Sequence, residues 1–106
     1  MQINIAGHHV DITDALRQAI EDKYHKIGSH YPQLEALDVT LTVERNEQTV
    51  EAVAQYLGVP IAVNARDFDM YVAIADSAKK FDAALSHRKG HVVHQRPAQP
   101  PIEPEV

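Results

Sequence analysis

The sequence predicts an α+β domain whose elements follow one another in the order β-α-β-β-β-α. Two segments, one after Thr13 and one at residues 69–94, have apolar residues at the helical period of about 3.6. Four shorter segments alternate apolar and polar side chains, which is typical of strands with one buried face. Because the apolar face of such a sheet needs cover, we expect a four-stranded sheet with two helices packed on one face.

The first two elements are a strand and a helix. Residues 2–6 alternate with isoleucine on one side, and residues 7–9 are expected to form the following turn. Thr13 is the predicted N-cap of the helix, and Gly28 and Pro32 mark its end. Its apolar stripe consists of Leu16, Ile20, Tyr24 and Ile27.

Three strands are predicted to follow as consecutive hairpins. Residues 37–45 show the clearest alternation, so one face of this strand should be buried and the other solvated. A turn at residues 46–47 leads into a second strand at residues 49–57, where the polar contrast is weaker. Gly58 marks the next turn, and residues 61–66 form the last strand.

The final helix is predicted at residues 69–94, with Asp67 or Asp69 as its cap. Ser77 and Ala78 are small residues that flank its apolar stripe. The stripe consists of Met70, Ile74, Phe81, Leu85 and Val92. An adjacent flank contains Lys80, His87 and His91 at spacings of seven and four. This helix is therefore expected to close the core and to present positive charge.

Length and composition indicate one domain with one modest core. The chain has 106 residues, 44% of them hydrophobic, and no cysteine that could form a disulfide or a thiolate metal site. It contains neither a membrane-length apolar run nor a targeting segment at its start, so we expect a cytoplasmic protein. Residues 1–94 form the predicted domain. Residues 95–106 contain four of the six prolines and are predicted to be a disordered tail.

The charge is acidic overall but unevenly distributed. The formal net charge is −5, yet residues 79–96 contain five Lys or Arg residues and a single acidic residue, Asp82. Lys23, Lys26 and His30 share one flank of the first helix. If the two helices lie side by side, these cations could form one surface for the phosphates of RNA. No aromatic residue is expected beside them to stack on bases.

The sequence contains no recognisable catalytic motif. Glycine-rich phosphate loops, nucleophile elbows and cysteine nucleophiles are all missing, so neither an enzyme nor a small-molecule substrate is expected. The histidines permit a second interpretation, a metal-handling protein that uses His87, His91 and His94. No carboxylate or thiolate set accompanies them, and no metal or other cofactor is expected. A generic duplex-RNA-binding module is a third interpretation.

Four segments resemble a known family. They are QINIAGHHVDITDALR at residues 2–17, KYHK at residues 23–26, VTLTVER at residues 39–45 and above all DMYVAI at residues 69–74. They are similar to the short ribosome hibernation-promoting factors and the related ribosome-associated inhibitor, and the resemblance extends to about residue 89. It implies a fold similar to a double-stranded-RNA-binding domain. It also implies binding in the messenger and transfer RNA channel of the small ribosomal subunit, which silences translation in stationary phase; some members promote ribosome dimers.

The resemblance and the charge pattern together predict an rRNA-binding surface on the two helices. The predicted residues are Lys23, Lys26, His30, Lys79, Lys80, His87, Arg88, Lys89 and His91. The expected partner is the small ribosomal subunit with its rRNA, and no membrane is expected to take part. The chain departs from the family pattern at Ala75, where an aspartate usually follows the isoleucine. It departs again at His87 and His91, where lysine is usual.

Overall fold

The computed structural model describes residues 2–93, with side chains described through His87. The elements are β1 (Ile3–His8), α1 (Asp14–His30), β2 (Leu34–Glu44), β3 (Glu47–Tyr56), β4 (Val59–Asp67) and α2 (Met70–Val93). The strands form one sheet in the order β1-β2-β3-β4, in which β1 and β2 are parallel and the other neighbours antiparallel. The predicted class and element order are confirmed. The proposed tail at residues 95–106 lies outside the described residues.

Both helices pack on the same face of the sheet. α2 lies over β3 and β4 and alongside α1. The predicted stripe of α1 is buried throughout, and so are Met70, Ile74, Phe81 and Leu85 of α2. The side chain of Val92 is outside the described part. From β3, the side chains that join this core are Val50, Ala52, Ala54 and Tyr56, which settles the inward face of that strand.

The opposite face of the sheet is open and polar. Because side chains alternate along a strand, burial of Leu37 and Val39 turns Asp38 to the other face. Its partners across the sheet include Asn4, whose side-chain amide donates to the Asp38 carboxylate at 3.0 Å. Glu51 is also exposed on this face. The open face is therefore polar and acidic, in contrast to the helical side.

Side-chain caps begin both helices. The Thr13 hydroxyl accepts a hydrogen bond from the backbone N–H of Leu16 at 3.1 Å, as predicted. At α2, the Asp69 carboxylate accepts from the backbone N–H of Tyr71 at 2.8 Å. Asp67 in turn accepts from the backbone N–H of Asp69 at 2.9 Å, so it positions the capping residue. Asp69 is thus the cap of α2, with Asp67 supporting it.

Two strand boundaries differ from the prediction. β1 continues through Gly7 and His8, where a turn was expected, because both residues pair with β2. A Cβ atom at Gly7 would collide with the carbonyl oxygen of Val10, so glycine is required as the chain leaves the strand. β2 begins three residues before the predicted start, at Leu34, which pairs with Tyr56 of β3. The alternation did not reveal this start, because a register shift between Leu34 and Leu37 interrupts it.

The hairpin turns are also placed differently. The β2–β3 turn lies at Arg45 and Asn46, one residue before the predicted position, with φ angles of 50° and 70°. The β3–β4 turn uses Leu57 and Gly58, with φ angles of 54° and 79°. Two consecutive residues of positive φ match the right-handed twist of the flanking strands. Leu57 therefore belongs to a turn, whereas the sequence placed it at the end of a strand.

A buried hydrogen bond joins the two helices. The hydroxyl oxygens of Tyr24 and Ser77 are 2.7 Å apart, and the Ser77 hydroxyl donates to the carbonyl oxygen of Ile74 at 2.7 Å. Because a serine hydroxyl has one proton, the Tyr24 hydroxyl is the donor to Ser77. The Tyr24 ring also meets Phe81 edge to face, with centroids 5.7 Å apart. These contacts fix the position of α1 relative to α2.

Replacing Ser77 by alanine should test this link. Ser77→Ala leaves the buried Tyr24 hydroxyl without its acceptor, which should cost about 1–3 kcal/mol in the free energy of unfolding. Tyr24→Phe should cost less, because Ser77 keeps its bond to Ile74. Urea denaturation of the wild type, both single variants and the double variant measures the coupling.

The double variant should be less destabilised than the sum of the two single variants, because neither polar group is then left unpaired. Strict additivity would show that the Tyr24–Ser77 bond contributes nothing to stability. The midpoint and the denaturant slope are both needed, since a changed slope would indicate a changed unfolded state.

Candidate nucleic-acid interface

A shallow groove runs between the two helices on the solvent side of the domain. We call it the interhelical groove, and its volume is about 290 Å³. It is lined by Lys23, Lys26, Ile27 and His30 of α1 and by Ala75, Ala78, Lys79 and Asp82 of α2. The groove thus brings together four of the nine predicted RNA-binding residues.

Helical spacing explains this lining. Lys23, Lys26 and His30 are separated by three and four residues, so they project from one flank of α1. Both lysines and His30 are exposed, whereas Ile27 between them is buried. On α2, the groove is lined at the same spacings by two alanines, a lysine and an aspartate. The methyl groups of Ala75 and Ala78 make the floor of the groove apolar. Because these side chains are short, the longer lysine side chains place their charges at the rim.

The charge of the groove is positive. Three lysines face one carboxylate, and among the described side chains none of these lysines forms an ion pair with a carboxylate. An exposed ammonium group without an internal partner is available to an external anion. Interactions are screened over about 8 Å at physiological salt, so nearby lysines affect a bound phosphate more than distant carboxylates do.

The outer flank of α1 has the opposite character. Gln18, Glu21, Asp22 and His25 line a second depression beside Ile3 of β1, together with Lys26 at its border. The amide of Gln18 donates to the Asp22 carboxylate at 2.8 Å. Glu21 and Asp22 therefore lie on the outer flank of α1, whereas Lys23 lines the groove and Lys26 lines both depressions.

Lys80 lies outside the interhelical groove. Its ammonium group donates to the backbone carbonyl oxygen of Asn64 at 2.9 Å, on the free edge of β4. Of the two adjacent lysines in the predicted surface, Lys79 lines the groove with the α1 lysines and Lys80 does not. His87 follows Lys80 by seven residues, which puts it on the same flank of α2 as Lys80. Arg88, Lys89 and His91 belong to the last turns of α2, and their side chains are outside the described part.

Two groups at the groove were missed by reasoning from the sequence. Asp82 lines the groove, although it was counted only as one charge in a basic segment. Tyr71 lies one helical turn before Ala75 on the same flank and is 50% exposed, whereas no aromatic residue was expected beside the cations. The spacing of 71, 75, 78 and 82 along α2 was the available signal for both residues.

The described residues contain neither a metal-binding cluster nor a membrane-spanning helix. Within the described residues, no group of three His, Cys, Asp or Glu side chains is placed to hold a metal ion. The histidine set proposed from the sequence includes His91 and His94, whose side chains lie outside that part. No helix of the described chain is long and apolar enough to cross a membrane.

The fold and the groove define a two-layer α+β domain with a cationic surface between its helices. The chain belongs to the family described as Sigma 54 modulation protein / S30EA ribosomal protein, whose model matches residues 3–92. This confirms the resemblance found in the sequence.

Named relatives and solved structures agree with this membership. The chain is 38% identical over 106 residues to a ribosome hibernation promoting factor of Azotobacter vinelandii, covering 96% of this chain and 99% of that protein. It is 34% identical over 89 residues to the Escherichia coli factor of the same name, covering 84% and 94%. The structure of a ribosomal subunit interface protein from Coxiella burnetii matches with a TM-score of 0.81 and 28% identity, covering 85% of this chain and 99% of that one.

The buried Tyr24 beneath the groove should make stability depend on alkaline pH. Burial raises the pKa of Tyr24 to about 12 from 10.0, and the Ser77 hydroxyl, which can turn to donate to the phenolate, acts in the opposite direction. The folded state therefore holds this proton more tightly than the unfolded state. The resulting contribution is fully present below pH 10 and is lost as the pH rises toward 12, by roughly 2–3 kcal/mol.

Urea unfolding of the wild type and of Tyr24→Phe between pH 8 and pH 11 measures this effect. Each unit of pKa difference between the folded and unfolded states corresponds to about 1.36 kcal/mol in the free energy of unfolding. The wild type should lose stability more steeply above pH 10 than the variant, which has no proton at this position. Parallel profiles for the two proteins would contradict the raised pKa.

Proposed function

We propose that this protein is a ribosome hibernation factor. It binds rRNA of the small ribosomal subunit in the channel for messenger and transfer RNA, and so blocks translation in stationary phase or under stress. It acts in the cytoplasm, without catalysis and without a cofactor. The observation on which the proposal depends is the interhelical groove, where an acidic chain collects three lysines that have no carboxylate partner among the described side chains.

The relatives support the role, since those of Azotobacter vinelandii and Escherichia coli are both named ribosome hibernation promoting factors. The Coxiella burnetii structure is that of a ribosomal subunit interface protein, which supports a ribosomal location. The electrostatics support RNA as the ligand, because clustered lysines on rigid helices suit phosphate oxygens.

The proposed mechanism is steric. Lysine contacts with rRNA phosphates hold the folded domain in the channel, and its bulk excludes messenger and transfer RNA. Such contacts release counterions, so affinity should fall steeply as salt rises. The acidic open face of the sheet, with Asp38 and Glu51, is expected to face away from the nearest phosphates.

The proposed contact surface centres on the groove and extends along α2. Lys23, Lys26, His30 and Lys79 form its centre. The remaining proposed contacts, toward and beyond the end of the described side chains, are Lys80, His87, Arg88, Lys89 and His91. Neighbouring lysines on opposite flanks of α2 make it possible to test where the centre lies.

Lys79→Gln should weaken binding to purified small subunits by about tenfold at 0.1 M salt and flatten the salt dependence by about one unit of slope. Lys80→Gln removes the same charge one residue away but outside the groove, so its effect should be clearly smaller. Co-sedimentation with subunits across a salt series measures both variants. An excess of free duplex RNA should not compete with the subunits.

Equal losses for the two variants would show that the contact surface spans both flanks of α2, and a larger loss for Lys80→Gln would move its centre to the β4 edge. If neither variant differs from the wild type, the groove is not the ribosome-binding surface. Efficient competition by free duplex RNA would favour a generic duplex-RNA-binding module.

Removing the carboxylate from the groove should strengthen binding. Asp82→Asn eliminates the negative charge nearest the proposed phosphate positions, and we expect affinity for small subunits to rise about two- to fivefold. Asp22→Asn is the matched control, because it makes the same change in net charge on the outer flank of α1. A weaker complex with Asp82→Asn would mean that this carboxylate accepts a hydrogen bond from the RNA.

A further inference from the structure

Tyr71 is unlike the other tyrosines of the chain. Tyr24, Tyr31 and Tyr56 are buried in the core, whereas Tyr71 is 50% exposed. The core does not account for its position, because the neighbouring Met70 and Ala73 fill that role on α2. Half of a large aromatic side chain therefore faces solvent from a regular helix.

The position of Tyr71 is fixed relative to the interhelical groove. It precedes Ala75 by four residues and Ala78 by seven, so helical geometry places it on the flank that lines the groove. Its backbone N–H donates to the capping Asp69 at 2.8 Å, which holds the first turn of α2. Tyr71 does not itself line the groove but lies one turn beyond Ala75 toward the start of α2, and its Cα atom is about 12 Å along the helix axis from that of Lys79.

We propose that Tyr71 stacks on the base of an unpaired nucleotide whose neighbouring phosphates lie in the interhelical groove. This inference rests on the proposed function and specifies its ligand as single-stranded rather than duplex RNA. Bases in an A-form duplex are stacked on one another and do not offer a face to a side chain, whereas unpaired bases do. An aromatic ring beside a row of lysines is the combination that single-strand-binding surfaces use.

The apolar floor of the groove supports the same ligand. Ala75 and Ala78 place only methyl groups between the tyrosine ring and Lys79, so a sugar and base can lie flat against α2. The charges around Tyr71 differ from those around Phe68, which is also an exposed aromatic residue. Phe68 is 79% exposed, but its depression holds two carboxylates, Glu44 and Glu47, against one arginine, Arg45, and has no row of lysines.

Three variants test the stacking contact on purified small subunits. Tyr71→Leu keeps an apolar, helix-favouring side chain without an aromatic face, and it should weaken binding about five- to hundredfold. Tyr71→Phe keeps the ring and should bind within about twofold of the wild type. Phe68→Leu is the matched control and should leave affinity unchanged. The salt dependence of Tyr71→Leu should match that of the wild type, because stacking releases no counterions.

The outcomes separate this inference from the proposed function. If Tyr71→Leu binds like the wild type while Lys79→Gln is weakened, stacking is wrong and the groove remains the rRNA site. If neither variant loses affinity, both proposals fail. Equal losses for Tyr71→Leu and Phe68→Leu would indicate general apolar contact at this end of the molecule and would also contradict stacking.

Photo-crosslinking identifies the neighbour of position 71 directly. The protein with p-benzoylphenylalanine in place of Tyr71 is bound to small subunits and irradiated. An adduct that ribonuclease removes, mapped to an unpaired rRNA nucleotide, supports the proposal. An adduct to a ribosomal protein, or to a base-paired nucleotide, overturns it. Thermal melting of Tyr71→Leu verifies the fold, and the crosslink gives an answer even if that variant unfolds.

Discussion

The candidate site depends on the contact between Tyr24 and Ser77. The groove exists only because α1 and α2 lie side by side. No short loop connects the two helices, since three strands separate them in the chain, so their relative position must be fixed by side-chain contacts. A buried hydrogen bond is costly to leave unmade, so the Tyr24–Ser77 pair strongly disfavours sliding of one helix along the other. The edge-to-face contact of Tyr24 with Phe81 limits rotation. The lysines above are therefore held on a rigid support.

The arrangement also explains how an acidic chain can present a cationic surface. Asp38 and Glu51 lie on the open sheet face, and Glu21 and Asp22 lie on the outer flank of α1. Asp82 of α2 is the one carboxylate among the residues that line the groove. Of the four lysines whose side chains are described, three line the groove. The fourth is Lys80, whose bond to Asn64 covers a carbonyl on the free edge of β4. A charged side chain at a sheet edge discourages pairing with another chain. Two adjacent lysines thus have different surroundings, although the sequence presents them as equivalent.

Much of the fold followed from periodicity, because burial on one face leaves a regular pattern. Both helical stripes and the alternation of β2 were sufficient to predict the class. The early start of β2 was not predictable, since the irregularity between Leu34 and Leu37 interrupts the alternation. Periodicity also could not predict which of the two lysines, Lys79 or Lys80, lies in the groove. The two residues differ by about 100° around the helix, and which of them faces α1 depends on where the sheet places α2.

Ala75 affects both the charge of the interhelical groove and the access to Tyr71. Position 75 lies in the floor of the groove, one helical turn after Tyr71 and one turn before Lys79. A carboxylate here would add a second negative charge beside Asp82 and would stand where the proposed base approaches the ring. Alanine leaves three lysines against a single carboxylate and keeps the floor apolar. The alanine thus preserves the local positive potential of the groove without an added cation.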